Sequence, residues 1–323
     1  MPVPASGLYV VHADWGKKPG KRRLASATIE ADGRVRAEAS EPVHDASRLL
    51  ERRPLAAPGI DRAFFGFDFP IGLPAAYAAR AKIASFHAFL IALADGAWPD
   101  FARVAERPEE ISVERPFYPY SATRIGSQRV RQRHLLDAHG VDHMDALRRR
   151  CERGRPGRRA ACALFWTLGS QQAGRGALAG WQEVLLPALG RADLDVALWP
   201  FDGPLDELLD RRSVTVAETY PAELYAHLGI EMRGSKRRQR DRQHHADTLR
   251  AWARRHDVEL SDALDEEIGN GFGSKADGED RFDAVVGLFG MLGIVLGERP
   301  SGEPGHDPDL PVEGWILGRD HRA

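Results

Sequence analysis

The stretch Phe64-Phe65-Gly66-Phe67-Asp68-Phe69-Pro70-Ile71-Gly72-Leu73-Pro74 admits few conformations. Its run of large apolar residues, broken by a single carboxylate, reads as a strand buried on both faces. Pro70 lacks a ladder donor and restricts the residue before it, so the strand is expected to stop around Phe69. Asp68 then falls at the strand's carboxyl end, the edge where open α/β sheets bind ligands. Taken alone, it equally reads as an aspartate that caps the following turn. The two readings separate on whether other strands deliver carboxylates to the same edge.

The strands before it are short and closely linked. Leu8 to Ala13 is rich in β-branched residues and runs into Asp14-Trp15-Gly16, a turn signal. A basic loop, Lys17 to Arg23, leads to two further strands, Leu24 to Ile29 and Val35 to Ala39, joined by Ala31-Asp32-Gly33. A helical stretch is expected over His44 to Arg53. The order is β-β-β-α-β, with the first three strands close enough to form an antiparallel meander. Sheet signals return at Asp195 to Phe201 and at Ser213 to Glu218, where Val214 and Val216 alternate and Pro221 closes the run. Helices are expected over Ala222 to Leu228, Gln239 to His256, Ser261 to Ile268 and Asp280 to Leu296, and Gly314 to Leu317 as a last edge strand. Residues 75–192 carry helix-prone and arginine-rich segments instead. The expected organisation is a sheet core of residues 1–74 and 193–323, interrupted by a mostly helical insertion over 75–192.

Composition excludes several classes. With 323 residues and a hydrophobic fraction of 43%, the chain can bury a full core. Cys151 and Cys162 provide neither a disulfide framework nor a C-x-x-C metal spacing. No apolar run approaches the roughly 18 residues of a membrane span, and the first residues show no signal-peptide pattern. A cytoplasmic protein with no membrane partner is the expectation.

Asp14, Asp68 and Glu218 share one grammar, since each closes an apolar strand just before a turn. Glu279-Asp280-x-x-Asp283 opens the final helix, and Asp280 and Asp283 are spaced to project from one face. Acids in a first turn suit the helix dipole, but that does not account for Asp283 against an apolar helix body. Buried carboxylates are costly unless paired or metal-bound. A set of hard oxygen ligands with no histidine or cysteine suits Mg²⁺ or Mn²⁺ rather than zinc. Two such ions about 4 Å apart would clamp the attacking and leaving oxygens of a phosphodiester displacement. The expected ligands are Asp14, Asp68 and Asp280 or Asp283, with Glu218 holding or deprotonating the attacking water.

At this point a resemblance enters. Three antiparallel strands followed by parallel ones, helices on both faces, acids on the first and fourth strands and D-x-x-D on the last helix resemble the ribonuclease-H-like fold. Ala13-Asp14-Trp15-Gly16, Asp68-Phe69-Pro70-Ile71-Gly72-Leu73-Pro74, Glu218-Thr219-Tyr220-Pro221-Ala222-Glu223, Asp280-Arg281-Phe282-Asp283-Ala284 and Glu313-Gly314-Trp315-Ile316 resemble the bacterial domain of unknown function family 429. The resemblance spans nearly the whole chain and is most specific in D-x-P-I-G-L-P. It implies a ribonuclease-H-like fold and a metal-dependent nuclease site, without a defined substrate.

The net charge of −2 hides local asymmetry. Residues 124–159 hold 11 arginines against 4 acids, and residues 233–255 hold 9 lysines or arginines against 2 acids, whereas 257–283 holds 10 acids. Such basic segments beside an acidic centre suit a nucleic-acid partner, and they equally read as solvated helix faces. Arg124, which follows the aromatic run Phe117-Tyr118-Pro119-Tyr120, and Lys275, in the glycine-rich loop before the last helix, are candidate phosphate contacts. That loop lacks the G-x-x-x-x-G-K-[ST] pattern. The leading expectation is a hydrolase acting on nucleic acid. The alternatives are a nucleotide- or phospho-metabolite-binding protein and a non-catalytic nucleic-acid adaptor.

Overall fold

The computed structural model describes residues 7–54, 59–120, 131–155, 158–168 and 172–320. Its strands are β1 (Leu8–Asp14), β2 (Arg23–Ile29), β3 (Val35–Ala37), β4 (Glu41–Pro42), β5 (Arg62–Phe67), β6 (Val196–Leu198), β7 (Val214–Glu218) and β8 (Val258–Leu260). The helices are α1 (Ala75–Ala81), α2 (Phe86–Ala94), α3 (Arg133–His139), α4 (Ala173–Gly180), α5 (Leu186–Leu189), α6 (Leu205–Arg211), α7 (Pro221–His227), α8 (Gln239–Gln243), α9 (Ala246–Arg255), α10 (Asp262–Gly269), α11 (Gly278–Val295) and α12 (Leu310–Glu313). The fold is α/β with one mixed sheet.

The strand order is β6-β7-β5-β1-β2-β3-β8, and β4 pairs with β2. β1, β2 and β3 form the antiparallel meander, while β5 lies parallel to β1 and β7 parallel to β5. β1 and β5 are thus central neighbours that run the same way. Both are apolar along nearly their whole length, because neither face of a central parallel pair meets solvent. In β1–β5 register Ala13 stands opposite Phe67, so Asp14 and Asp68 follow at the same edge.

α11 lies against β1 and β2. Close approach is permitted by two missing side chains. A Cβ at Gly66 of β5 would stand 2.3 Å from Met291 Sδ, and one at Gly287 of α11 would stand 2.1 Å from His12 Cε1. His12 fills that gap with no solvent exposure. Its Nδ1 is 3.1 Å from the Ala284 carbonyl and its Nε2 is 2.8 Å from Thr219 Oγ1. A carbonyl can only accept, so the proton is on Nδ1, and Nε2 accepts from the threonine hydroxyl.

The chain divides into two compact units. The first, Met1–Asp68 with Pro187–Glu303 and Ile316–Gly318, contains the sheet and α6 to α11. The second is Phe69–Leu186 with Pro304–Trp315 and Arg319–Ala323, so it includes C-terminal segments that the sequence pattern leaves with the sheet. Within the second unit, the residues after Asp68 are anchors. Pro70 O accepts from Trp181 Nε1 at 2.8 Å, Ile71 O accepts from Arg149 Nη1 at 3.1 Å, and Leu73 N–H donates to Val312 O at 2.9 Å. A Cβ on Gly72 would lie 2.1 Å from the Glu313 carbonyl oxygen, which explains the glycine there. Only Asp68 of the D-x-P-I-G-L-P motif is left for chemistry.

Several elements depart from expectation. Helix covers less of residues 75–192 than expected, since prolines at 99, 108, 116 and 119 keep the segment after α2 irregular. The 44–53 stretch holds only a 3-10 turn at Leu49–Glu51, because the Asp45 carboxylate takes the Ser47 and Arg48 N–H groups and forms a turn instead. β8, too short to stand out as a pattern, extends the sheet beside β3. The expected edge strand at 314–317 reduces to a single bridge between Glu218 and Ile316.

Candidate functional site

Four aspartates meet beside the carboxyl ends of β1 and β5. The ladder hydrogen bonds of β5 end at Phe67, whose carbonyl takes the Thr219 N–H at 2.7 Å. One residue on, the Asp68 side chain replaces the ladder: its Oδ1 accepts the Trp15 N–H at 2.5 Å. Asp14 and Asp68 lie near enough for each to shift the other's carboxyl. Asp280 and Asp283 arrive from the first turns of α11, and both act on Asp14 through space.

Burial raises every carboxyl in the cluster, and neighbouring acids add to it. Burial, then Asp68, Asp283 and Asp280, push Asp14 well above the carboxylate range. Asp68 is pushed up to about 7 by burial, against the opposing Trp15 N–H and with the Asp283 charge adding to it. Burial raises Asp280 to about 6, opposed by Lys21 and reinforced by Glu279 and Asp283. Asp283 is raised by burial too, although Lys236 and Tyr225 oppose the shift. A group of acids in this state is short of positive charge.

Lys236 supplies part of it. Its Nζ binds Asp283 Oδ2 and lies 3.4 Å from Glu279 Oε1. The Tyr225 hydroxyl donates to Asp283 Oδ1 at 2.5 Å. Both oxygens of Asp283 are therefore engaged. Asp280 Oδ2, by contrast, is buried with no hydrogen-bond partner among the described residues. Burial lowers the Lys236 ammonium, but Asp283, Glu279 and Asp14 outweigh it, so its pKa rises and it stays charged.

Glu218 does not join this group. Residues opposite one another on neighbouring strands share a face, and Phe67 is opposite Glu218 whereas Gly66 is opposite His12 and Ala217. Gly66 and His12 face α11, so Glu218 points to the other face and Thr219 takes the α11 side. Strand alternation thus sets Glu218, expected as a ligand or base, one residue out of step with the face of the four aspartates. Lys275 is exposed and lines a cleft of about 390 Å³ with Ser40, Glu267, Phe272 and Arg281, which contains none of the four aspartates. Arg124 lies outside the described residues. Of the aromatics before it, Phe117 and Tyr118 are buried and only Tyr120 is exposed.

The basic segments are also thinner than their composition suggests. Arg149 is fully buried against Glu152, Arg250 binds Asp265, and Arg242 is buried and spends its guanidinium on the carbonyls of Lys236, Gly271 and Gly273. Lys17, Lys18 and Lys21 of the β1–β2 loop and Arg237, Arg238 and Arg240 stay exposed, although Arg238 and Arg240 pair with Asp241. Lys21 acts on Asp280, and Arg237 Nε is 3.5 Å from Glu279 Oε2. Lys236 and Tyr225 carried no sequence signal of their own: one is a member of a basic run, the other of a short amphipathic helix.

The donor set and the orphaned Asp280 oxygen fit a hard divalent cation such as Mg²⁺ or Mn²⁺. As the side chains stand, no three His, Cys, Asp or Glu groups among the described residues are arranged to hold a metal ion. The Lys236 and Tyr225 bonds take up lone pairs of both Asp283 oxygens. No helix among the described residues is long and apolar enough to cross a membrane. In comparisons with known proteins, no family model, curated protein or solved structure matches the chain significantly.

Proposed function

We propose that the protein is a metal-dependent phosphodiester hydrolase of ribonuclease-H-like fold that acts on nucleic acid. The observation that carries this reading is the meeting of Asp14, Asp68, Asp280 and Asp283 at one sheet edge, with their carboxyls held above the usual range by burial and mutual repulsion. The sheet order, with a three-stranded antiparallel meander followed by parallel β5 and β7, supports the fold assignment. So does the resemblance of its motifs to those of the bacterial domain of unknown function family 429.

Asp14, Asp68 and Asp280 would hold Mg²⁺ or Mn²⁺, with Asp283 joining once its oxygens are released. The ion would supply Lewis acidity at a phosphoryl oxygen. The chain's own contribution is positioning. Adjacent parallel strands hold Asp14 and Asp68 in fixed register, and α11, packed down on His12 and Gly66, sets the height of Asp280 and Asp283. Lys21, in the exposed β1–β2 loop, acts on Asp280 and would meet a phosphate backbone there.

The test is cleavage of a panel of single-stranded, duplex and junction DNA and RNA with Mn²⁺, Mg²⁺ or EDTA. Wild type is expected to cleave at least one member only with metal, and Asp68→Asn to lose about 10²-fold or more of that rate. Unchanged metal-dependent cleavage in Asp68→Asn refutes the site. Binding that persists in EDTA with no cleavage under any metal indicates an adaptor instead.

A further inference from the structure

Lys236 belongs to the segment between α7 and α8, which has neither helix nor strand, yet its position is controlled from both ends. Its backbone carbonyl accepts from buried Arg242, whose other nitrogens reach the Gly271 and Gly273 carbonyls in the loop that leads into α11. Its ammonium meets Asp283 and Glu279, whereas its neighbours Arg237 and Arg238 are exposed. Its charge also reaches Asp14 and Asp68. The side chain is 37% exposed, so the four-carbon stem has an open route back to solvent.

We infer that Lys236 is a built-in counter-ion of the aspartate cluster, which a divalent cation displaces on binding. This rests on the metal-site reading above. The ammonium takes up a lone pair of Asp283 Oδ2, and two cations crowded among four aspartates repel each other. Metal affinity is therefore set by competition. Without metal, Lys236 keeps the acids from forcing the edge of the sheet apart; with metal, it swings free. Arg237 provides an internal control, since it is 76% exposed and meets Glu279 at 3.5 Å without being bonded to Asp283.

The experiment titrates full-length wild type, Lys236→Gln and Arg237→Gln with Mn²⁺ alone by calorimetry at fixed pH and ionic strength, with metal-free melting curves alongside. Lys236→Gln should bind Mn²⁺ about tenfold or more tightly than wild type, because a competing charge is gone. Its metal-free form should melt lower and be restored by Mn²⁺, while Arg237→Gln stays within about twofold of wild type, as an exposed charge pair does. Equal or weaker Mn²⁺ binding by Lys236→Gln overturns the inference while leaving the metal site in place. Failure of wild type itself to bind Mn²⁺ overturns the metal reading and this inference together. If Lys236→Gln does not fold, amine labelling of wild type read by mass spectrometry serves in its place. Lys236 should become several-fold more reactive on adding Mn²⁺, and unchanged or reduced reactivity rejects displacement.

Discussion

The imidazole of His12 is a sensitive probe of how α11 seats on the sheet. Enclosed between Gly287, Ala284 and Thr219, it is neutral, and burial lowers its pKa from 6.5 to about 3, despite the opposing hydrogen bond to Ala284. In the unfolded chain the same group titrates near the ordinary histidine value. Above that value neither state binds a proton and stability is unaffected. As pH falls below it, the unfolded state takes up a proton that the folded state refuses, so stability declines until the folded value is reached. Between about pH 7 and pH 4 the loss from this one group is on the order of 3 kcal/mol. Urea unfolding of wild type and His12→Gln at closely spaced pH values isolates it. The variant is less stable at neutral pH, but its stability should fall less steeply with acid, so that the gap between the two curves narrows by about 3 kcal/mol. Parallel curves across the window would refute both the neutral tautomer and the packing argument built on it. An NMR titration gives an independent reading, since the His12 ring should show no protonation above about pH 4.

Gly287→Ala places a methyl group against the His12 ring and should cost about 2 kcal/mol or more, although alanine ordinarily favours a helix over glycine by about 1 kcal/mol; a stabilised variant in urea melts would contradict the close approach. Arg149→Met leaves Glu152, 2% exposed, without its charge partner, and should destabilise by about 3 kcal/mol or more. Adding Glu152→Leu should recover part of that loss in the same melts, and no recovery would count against the pair. Ser261→Ala removes the side-chain acceptor of the Leu264 N–H at the start of α10 and should cost about 1 kcal/mol, read as a lower melting temperature. Excess Mn²⁺ over EDTA should raise the wild-type melting temperature, by the equivalent of about 2.7 kcal/mol at a hundred times the dissociation constant, and Asp280→Asn should abolish most of that rise.

The parts of the site legible in the sequence were those with a local signature. Asp14 and Asp68 each end an apolar strand, and those two strands are parallel neighbours in the sheet. Asp280 and Asp283 could be placed on one helix face by spacing alone, but their difference could not: it depends on Tyr225 and Lys236, which come from elsewhere in the chain. The face of Glu218 was not legible, because the grammar of a strand-end acid says which edge a residue occupies and nothing about which face it points to. Deciding the face requires the register against β5, and register is a tertiary property. Composition misled over the arginines for a related reason. Arg149, Arg242 and Arg250 count as basic residues in a sequence window, yet each is bound to a carboxylate or a set of backbone carbonyls. β8 was invisible because three residues carry no period.

The hydrogen bond from His12 to the Ala284 carbonyl joins residues 272 positions apart. During synthesis, the central strand of the sheet therefore leaves the ribosome long before the helix that covers it. Until α11 follows, the α11-facing side of β1 and β5, including the His12 ring and the phenylalanine-rich strand beside it, has nothing to pack against. A topology whose deepest contacts are its most distant in sequence closes late, and such chains fold slowly. The exposed interval is also when unpaired apolar strands associate with the wrong partner. The same connection that lets α11 set the height of Asp280 and Asp283 thus makes the nascent chain dependent on protection until α11 has been made.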